Sequence, residues 1–318
     1  MQPGTVTCAR SAPPRRETAL GKALWWAVRW SGYAPLVRNT VARRRVGILL
    51  YHDPEPDVLD RHLAYLGARY TFITLDQLVD AIRQRRWSLP AKSLVLTLDD
   101  GHRGNIQLLD VFRRHGVSPT IYLCSQIVGT HRHFWFLEIE NPEPLKSLDA
   151  DRRLALLRQA SGFEETREHQ ERQALNHEEI EQLKEHVDFG SHTRFHPVLT
   201  TCPDADCWAE IQLAKEEIEG LVGSDCRHFS FPNGDYSARE LALVQRAGYA
   251  SARTLDIGWN SVATNPYRLK ILGTNDDASL NRLAADLAGV GSYLARVRIG
   301  SFRGRHRQVA QRVRRVPR

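Results

Sequence analysis

The regular exchange of short apolar runs with helix-spaced segments between residues 46 and 290 constrains the fold of this chain most. Strand-like runs stand at 46–51 (VGILLY), 94–98 (LVLTL), 120–123, 228–231, 250–254 and 268–272. Helical spacing occupies 75–86, 105–115 (ending before Gly116), 151–159, 178–186, 204–221, 238–247 and 280–287. A short run apolar at every position suits a strand covered on both faces, which is the condition of a strand in a parallel sheet. Parallel neighbours need crossover connections, and the intervening helices supply them. The expectation is an α/β domain whose parallel sheet is open or closed into a barrel. Residues 131–176 interrupt the alternation. They hold His131, His133, Trp135 and its flanking Phe residues, then a charged helical stretch, and read as an insertion on the loop face.

Charge divides the 318 residues into three parts. Residues 1–46 hold nine Lys/Arg against the single Glu17, and residues 291–318 hold nine Arg and no acid. With a total of +7, the middle section 47–290 must carry 7 − 17 = −10. Basic ends on an acidic body suit an anionic membrane surface, or are solvated charge; no nucleic-acid recognition motif accompanies them, so no specific nucleic-acid partner is expected. A helix through residues 15–30 would align Arg15, Lys22 and Arg29, with Leu20, Leu24, Ala27 and Val28 roughly opposite and Trp25, Trp26 and Trp30 on the flanks. That pattern suits a helix lying in a membrane interface, or one packed on the main domain. No run of 18 uncharged apolar residues predicts a membrane span, and the best N-terminal apolar stretch, 23–28, is short for a secretory signal. Five cysteines without a CxxC pair indicate neither a disulfide framework nor a cysteine zinc site, and favour a reducing compartment. These features give a cytoplasmic protein, peripheral at the inner membrane face, with export as the alternative.

Three segments carry chemistry. Thr97-Leu98-Asp99-Asp100-Gly101 follows an apolar run. Adjacent strand residues face opposite sides, so both acids reach one site only if the backbone breaks, which Gly101 permits. A bound cation would relieve the repulsion, leaving one acid as ligand and one as base. Gly190-Ser191-His192-Thr193-Arg194-Phe195-His196-Pro197 places two imidazoles four apart, able to share a metal if the segment makes a helical turn near a loop. Phe229-Ser230-Phe231-Pro232-Asn233-Gly234 ends a strand in a sharp turn, whose backbone can face a ligand oxygen or be an ordinary turn.

The order and content of these segments resemble the polysaccharide deacetylases, the carbohydrate esterases of family four, over about residues 47–290. Thr97-Leu98-Asp99-Asp100-Gly101 looks like the family's first motif, 191–197 like its second and 231–234 like its third; Leu50-Tyr51-His52 looks like its opening strand. The Phe-Pro-Asn-Gly form and the strand after Asn265-Pro266 resemble the subgroup acting on exopolysaccharides. The resemblance implies a distorted (β/α) barrel with a catalytic domain at 47–290, between a basic segment 1–46 and an arginine-rich tail 291–318. It implies hydrolysis of the N-acetyl group of an amino sugar in a polysaccharide or lipid-linked glycan. Asp99 would be the base, and Asp100, His192 and His196 would hold a divalent ion: zinc, with cobalt or nickel as alternatives. A backbone N–H near Tyr122, or within the turn Pro232-Asn233-Gly234, would face the oxyanion. Two departures stand out. Ser230 occupies the place where many members have Arg, and Leu269-Lys270-Ile271 stands where a Leu-x-His motif would supply a proton donor, leaving His52 and Asp256 as candidates. The rival readings are a deformylase or other amidohydrolase on a lipid-linked aminosugar, and a non-catalytic carbohydrate- or membrane-binding protein of the same fold.

Overall fold

The computed structural model describes residues 18–290; Cys8, Arg15 and the tail 291–318 lie outside the described residues. Eight strands, β1 (Val46–Tyr51), β2 (Thr71–Phe72), β3 (Ser93–Leu98), β4 (Thr120–Leu123), β5 (Asp188–Ser191), β6 (His228–Ser230), β7 (Ser251–Ile257) and β8 (Leu269–Ile271), form one sheet. Its order is β1-β3-β4-β5-β6-β7-β8, with β2 beside the start of β3, and every ladder is parallel. Among the described residues ten α-helices pack against it: α1 (Ala19–Trp30), α2 (Tyr33–Asn39), α3 (Pro56–Gly67), α4 (Leu75–Arg83), α5 (Leu109–His115), α6 (Ala150–Ser161), α7 (His177–Leu183), α8 (Asp204–Val222), α9 (Ala238–Arg246) and α10 (Leu280–Leu287). The sheet curls until its two ends nearly meet. Leu272 donates its backbone N–H to Ile48 at 2.8 Å, and Val46 exchanges backbone bonds with Asn260 at 2.9 and 2.8 Å. This is the expected distorted (β/α) barrel.

The wall separates two kinds of packing. Alternate strand residues Leu49, Tyr51, Leu94, Leu96, Leu98, Ile121, Phe189 and Phe229 join the large cluster built with α3, α5, α7 and α8 outside. Val46, Ile48, Leu50, Val95, Tyr122, Leu269 and Ile271 point the other way and meet Leu75, Leu78, Val79 and Ile82 of α4. That helix lies under the barrel. Asp76 binds His228 at 2.9 Å and Arg227, and Arg83 reaches the Ala250 carbonyl at 3.1 Å, at the N-terminal ends of β6 and β7. Its start is secured by a capping box between Thr74 and Gln77. The barrel interior therefore runs from apolar packing at its base to polar groups (Asp99, Ser230, Arg253) at the opposite end.

Several elements differ from the sequence expectation. The segment 105–115 begins as a 3₁₀ turn, and only Leu109–His115 is α-helical before Gly116 closes it in the left-handed conformation. Strand β5 and helices α2 and α3 add elements that residue patterns had not marked. Helix α1 packs on the domain through Trp25, and not through an opposed Leu/Val stripe: Arg282 lies 4.5 Å over the Trp25 ring, and Arg29 donates to Asn281 at 2.9 Å. The four described cysteines, Cys124, Cys202, Cys207 and Cys226, are free and buried. No helix among the described residues is long and apolar enough to cross a membrane.

Candidate active site

The acid pair leaves the end of β3. Asp99 still extends the ladder, its N–H bonding the Tyr51 carbonyl at 3.0 Å. The chain then breaks at Asp100 itself (φ 72°) and again at Gly101 (φ 69°), so the turn starts one residue earlier than the glycine alone predicts. A left-handed conformation costs a non-glycine residue about 1–2 kcal/mol, and here it brings both carboxylates to the same end of the barrel.

The histidine pair does not sit on a helical turn. After β5 the chain runs as an irregular loop, with Thr193 (φ 70°) and His196 (φ 59°) both left-handed. The loop is over-determined, which is how such strain persists. Ser125 and Gln126 donate backbone N–H groups to the Thr193 and Arg194 carbonyls, both at 3.1 Å. From α8, Glu210 accepts the N–H groups of Arg194 and Phe195 at 2.8 and 3.0 Å, and Glu217 pairs with the Arg194 guanidinium. The Trp135 indole donates to the His196 carbonyl at 2.8 Å, and the Phe136 ring lies 4.7 Å from the His196 ring.

These supports converge three buried ligand atoms. His192 Nε2 and His196 Nε2 lie 3.5 and 3.4 Å from Asp100 Oδ1, and the three donor atoms all fall within 4.8 Å of one another. Nδ1 of His192 bonds the Ser230 carbonyl at 2.8 Å, an acceptor that needs the proton on Nδ1 and frees Nε2. Burial pushes His196 down to about 3, the neighbouring Asp100 only partly opposing it, so its imidazole is neutral at physiological pH. Burial alone would raise Asp100, but the His102 hydrogen bond and the nearby His196, His102 and His192 hold its carboxyl well below the usual range. Asp100 Oδ1 is buried without a hydrogen-bond partner, whereas Oδ2 is bonded to His102 Nε2 at 3.0 Å. An anionic oxygen left bare beside two imidazoles fits the donor set of a divalent ion such as zinc.

Asp99 sits next to this group, with Oδ2 3.7 Å from His192 Nε2. Both of its oxygens accept from Nη2 of Arg253 on β7, at 2.6 Å for Oδ1; the same nitrogen donates to Ser230 Oγ. Arg253 and Asp99 are only 1% and 4% exposed. A model for the polysaccharide deacetylase family matches residues 87–252, just over half of the chain. The chain belongs to the polysaccharide deacetylase family.

The deacetylase resembles several solved structures in fold. Against the Streptococcus pyogenes deacetylase PplD in complex with acetate the TM-score is 0.58 at 16% identity, covering 77% of this chain and 99% of that one. IcaB from Ammonifex degensii gives 0.56 at 16% identity, over 77% and 97%. The BpsB deacetylase domain from Bordetella bronchiseptica gives 0.52 at 12%, over 73% and 96%. No curated protein matches the sequence. Family membership makes this deacetylase a hydrolase of carbon–nitrogen bonds other than peptide bonds, acting on glycans.

The remaining residues singled out from sequence have mixed fates. His52 is exposed just after β1, its backbone N–H bonded to Asp276 at 3.0 Å. The Asp256 carboxylate is held by the Tyr236 hydroxyl at 2.6 Å and Arg268 at 3.2 Å, away from the acid and histidine pairs' own partners. Tyr122 is buried under the Arg253 guanidinium, its ring centre 6.5 Å from that of His192, and its backbone lies in the β4–β5 ladder opposite Gly190. In the third-motif turn, Pro232 has no N–H and Gly234 gives its own to the Phe231 carbonyl at 2.9 Å, so only the Asn233 N–H is left to meet a ligand. Two partners escaped the sequence reading. Arg253, paired with Ser230 across the β6–β7 ladder, donates to both Asp99 and Ser230. His102, two residues after Asp100, bonds its Oδ2, and that nearness in sequence was the signal available.

Proposed function

We propose that the deacetylase removes the N-acetyl group of an amino sugar in a polysaccharide or lipid-linked glycan, with a divalent ion held by Asp100, His192 and His196. The observation that carries this is the bare, buried Asp100 Oδ1 facing the Nε2 atoms of two buried imidazoles. A divalent ion bound there would supply Lewis acidity to the attacking water and the amide carbonyl. In our reading Asp99 takes the proton of that water, Arg253 fixing the direction in which its carboxylate points. The water oxygen adds to the carbonyl carbon, the carbon–nitrogen bond breaks, acetate departs and the sugar amine gains a proton. Of the two donor candidates, His52 is the one with a solvent-facing side chain at the site's end of the barrel, whereas Asp256 is occupied by Tyr236 and Arg268. The Asn233 N–H is the oxyanion donor we retain.

We read 47–290 as the catalytic unit and 131–176 as an insertion that walls its mouth. Phe134 stands 5.2 Å from His102 and Phe136 4.7 Å from His196, ring centre to ring centre. Phe134 is fully buried behind the wall, and the half-buried Phe136 is the ring that can meet the apolar face of a pyranose.

The test is metal content and acid release measured together. Wild-type protein should carry about one divalent ion per chain, lose it in His196→Ala, and liberate acetate from N-acetylated glycans. Formate as the product would transfer the assignment to a deformylase. Absence of bound metal after incubation with zinc or cobalt, with no acid released, would overturn the metal-dependent reading.

A further inference from the structure

We propose that the outward face of α1 and α2 docks the protein onto an anionic membrane surface. Helix α1 packs on α10 and α3 through Trp25 and Arg29, the latter lying 5.0 Å over the Tyr65 ring. Gly21 and Val28 share that side and are half-buried. The opposite side would be polar in an ordinary surface helix. Here Leu20, Ala23, Leu24, Trp26, Ala27 and Trp30 are all exposed, Trp26 by 59% and Trp30 by 64%. Seven of the nine large apolar side chains exposed among the described residues fall between Leu20 and Val41, so the patch is local to this hairpin. A concentrated apolar surface of this kind marks an interaction site.

Charge selects the occupant. Between Thr18 and Arg45 there are six cations (Lys22, Arg29, Arg38, Arg43, Arg44 and Arg45) and no acid. Tryptophans flanked by cations match the headgroup–acyl boundary of a bilayer, where the indoles sit at the interface and the cations meet anionic headgroups. The nine arginines of 291–318 follow α10 in sequence, the helix on which α1 packs. A second copy of this chain would bring the same six cations against themselves, which disfavours it as occupant. The Arg29–Asn281 bond sets the Trp30 end of α1 beside the start of α10, directly after the loop whose Asp276 binds the His52 and Asp53 backbone. The Trp30 end of the docking hairpin therefore lies near the loop that follows β8 at the site's end of the barrel, while Arg43 reaches the N-terminal end of β3. This surface assignment does not depend on the reaction proposed above.

Flotation of the full chain with vesicles tests it, using phosphatidylcholine alone or mixed with phosphatidylglycerol, beside a Trp26→Ser/Trp30→Ser double variant. The wild type should float with the anionic vesicles only, and its tryptophan emission should be quenched by brominated acyl chains. The double variant should lose about tenfold or more in partitioning and lose the quenching, with its melting temperature and its hydrolysis of a soluble substrate unchanged. Binding of the double variant equal to wild type would overturn the proposal by assigning attachment to the basic ends alone. So would no binding to either vesicle. A concentration-dependent dimer that the double variant abolishes, without vesicle binding, would give the face to a second copy.

Discussion

The Arg253 guanidinium crosses from β7 to hold both oxygens of Asp99 at the end of β3, although the two residues are 154 positions apart. Both are buried, and Nε and Nη1 of Arg253 have no hydrogen-bond partner of their own, so the guanidinium is committed to Asp99 and Ser230 through a single nitrogen. Breaking one half of such a pair strands the other charge.

Arg253→Gln should therefore lower both activity and stability. Kcat falls by about 10- to 100-fold, the usual loss when a group orienting a reactive residue is removed, and unfolding by about 3–5 kcal/mol from the stranded carboxylate. Asp99→Asn/Arg253→Met removes both charges and should regain much of the melting temperature without regaining turnover. If the double variant is the less stable of the two, the buried pair is not what holds this end of the barrel.

Asp99→Asn alone separates the two acids by role. Turnover is lost while metal content measured by elemental analysis stays near wild type, whereas Asp100→Asn loses both. Equal metal loss in the two variants would contradict the division of labour between neighbours.

His102→Ala frees Asp100 Oδ2 from its 3.0 Å partner without touching a ligand atom. Metal affinity should weaken by about 10- to 100-fold, readable by competition with a chromogenic chelator. Unchanged affinity would show that the loop alone orients Asp100.

Glu210 links pH to the histidine loop. Burial, only partly offset by the N–H groups of Phe195 and Arg194, pushes its carboxyl up to about 7, with Glu165 adding to the rise and the Arg194 guanidinium opposing it. The folded chain then holds a proton that the unfolded chain, at the ordinary value of 4.5, has released. More protons bound when folded means stability falls as pH rises from about 4.5 to about 7 and levels off above. Glu210→Gln keeps an oxygen acceptor and lacks this ionisation, so its melting temperature relative to wild type should climb between pH 5 and pH 8. A difference independent of pH would refute the buried-carboxyl origin.

Gly190→Ala tests close packing. A β-carbon there would lie 2.6 Å from the Tyr122 ring and 2.8 Å from the His228 carbonyl, so the ring under Arg253 must move. Destabilisation of about 1–3 kcal/mol by chemical denaturation is expected.

How far the sequence was legible depends on where each signal lay. The apolar run of β1 and the capped, periodic α4 carry their information locally, and so do the two acids and two histidines. Strand β5 (Asp-Phe-Gly-Ser) has no run of strand-forming residues; pairing with β4 makes it a strand. Helix α3 was readable, with Pro56 in its first turn and Leu59, Leu63 and Leu66 on one face, and its short flanks masked it. The histidine spacing suggested a helical turn because spacing of four is ambiguous; two left-handed residues achieve the same convergence. Arg253 could not be found from local pattern, because in β7 it reads as one more strand residue and only barrel closure points it at Asp99.

The helix laid across the base of the barrel makes the enclosure a cup. Nothing can thread through it, so a long glycan has to bring the sugar being processed to the rim and leave by the way it came. Any tendency to work along a polymer must then come from what grips the chain outside the cup, and loop sequences around the mouth are where variants with altered run length should be sought.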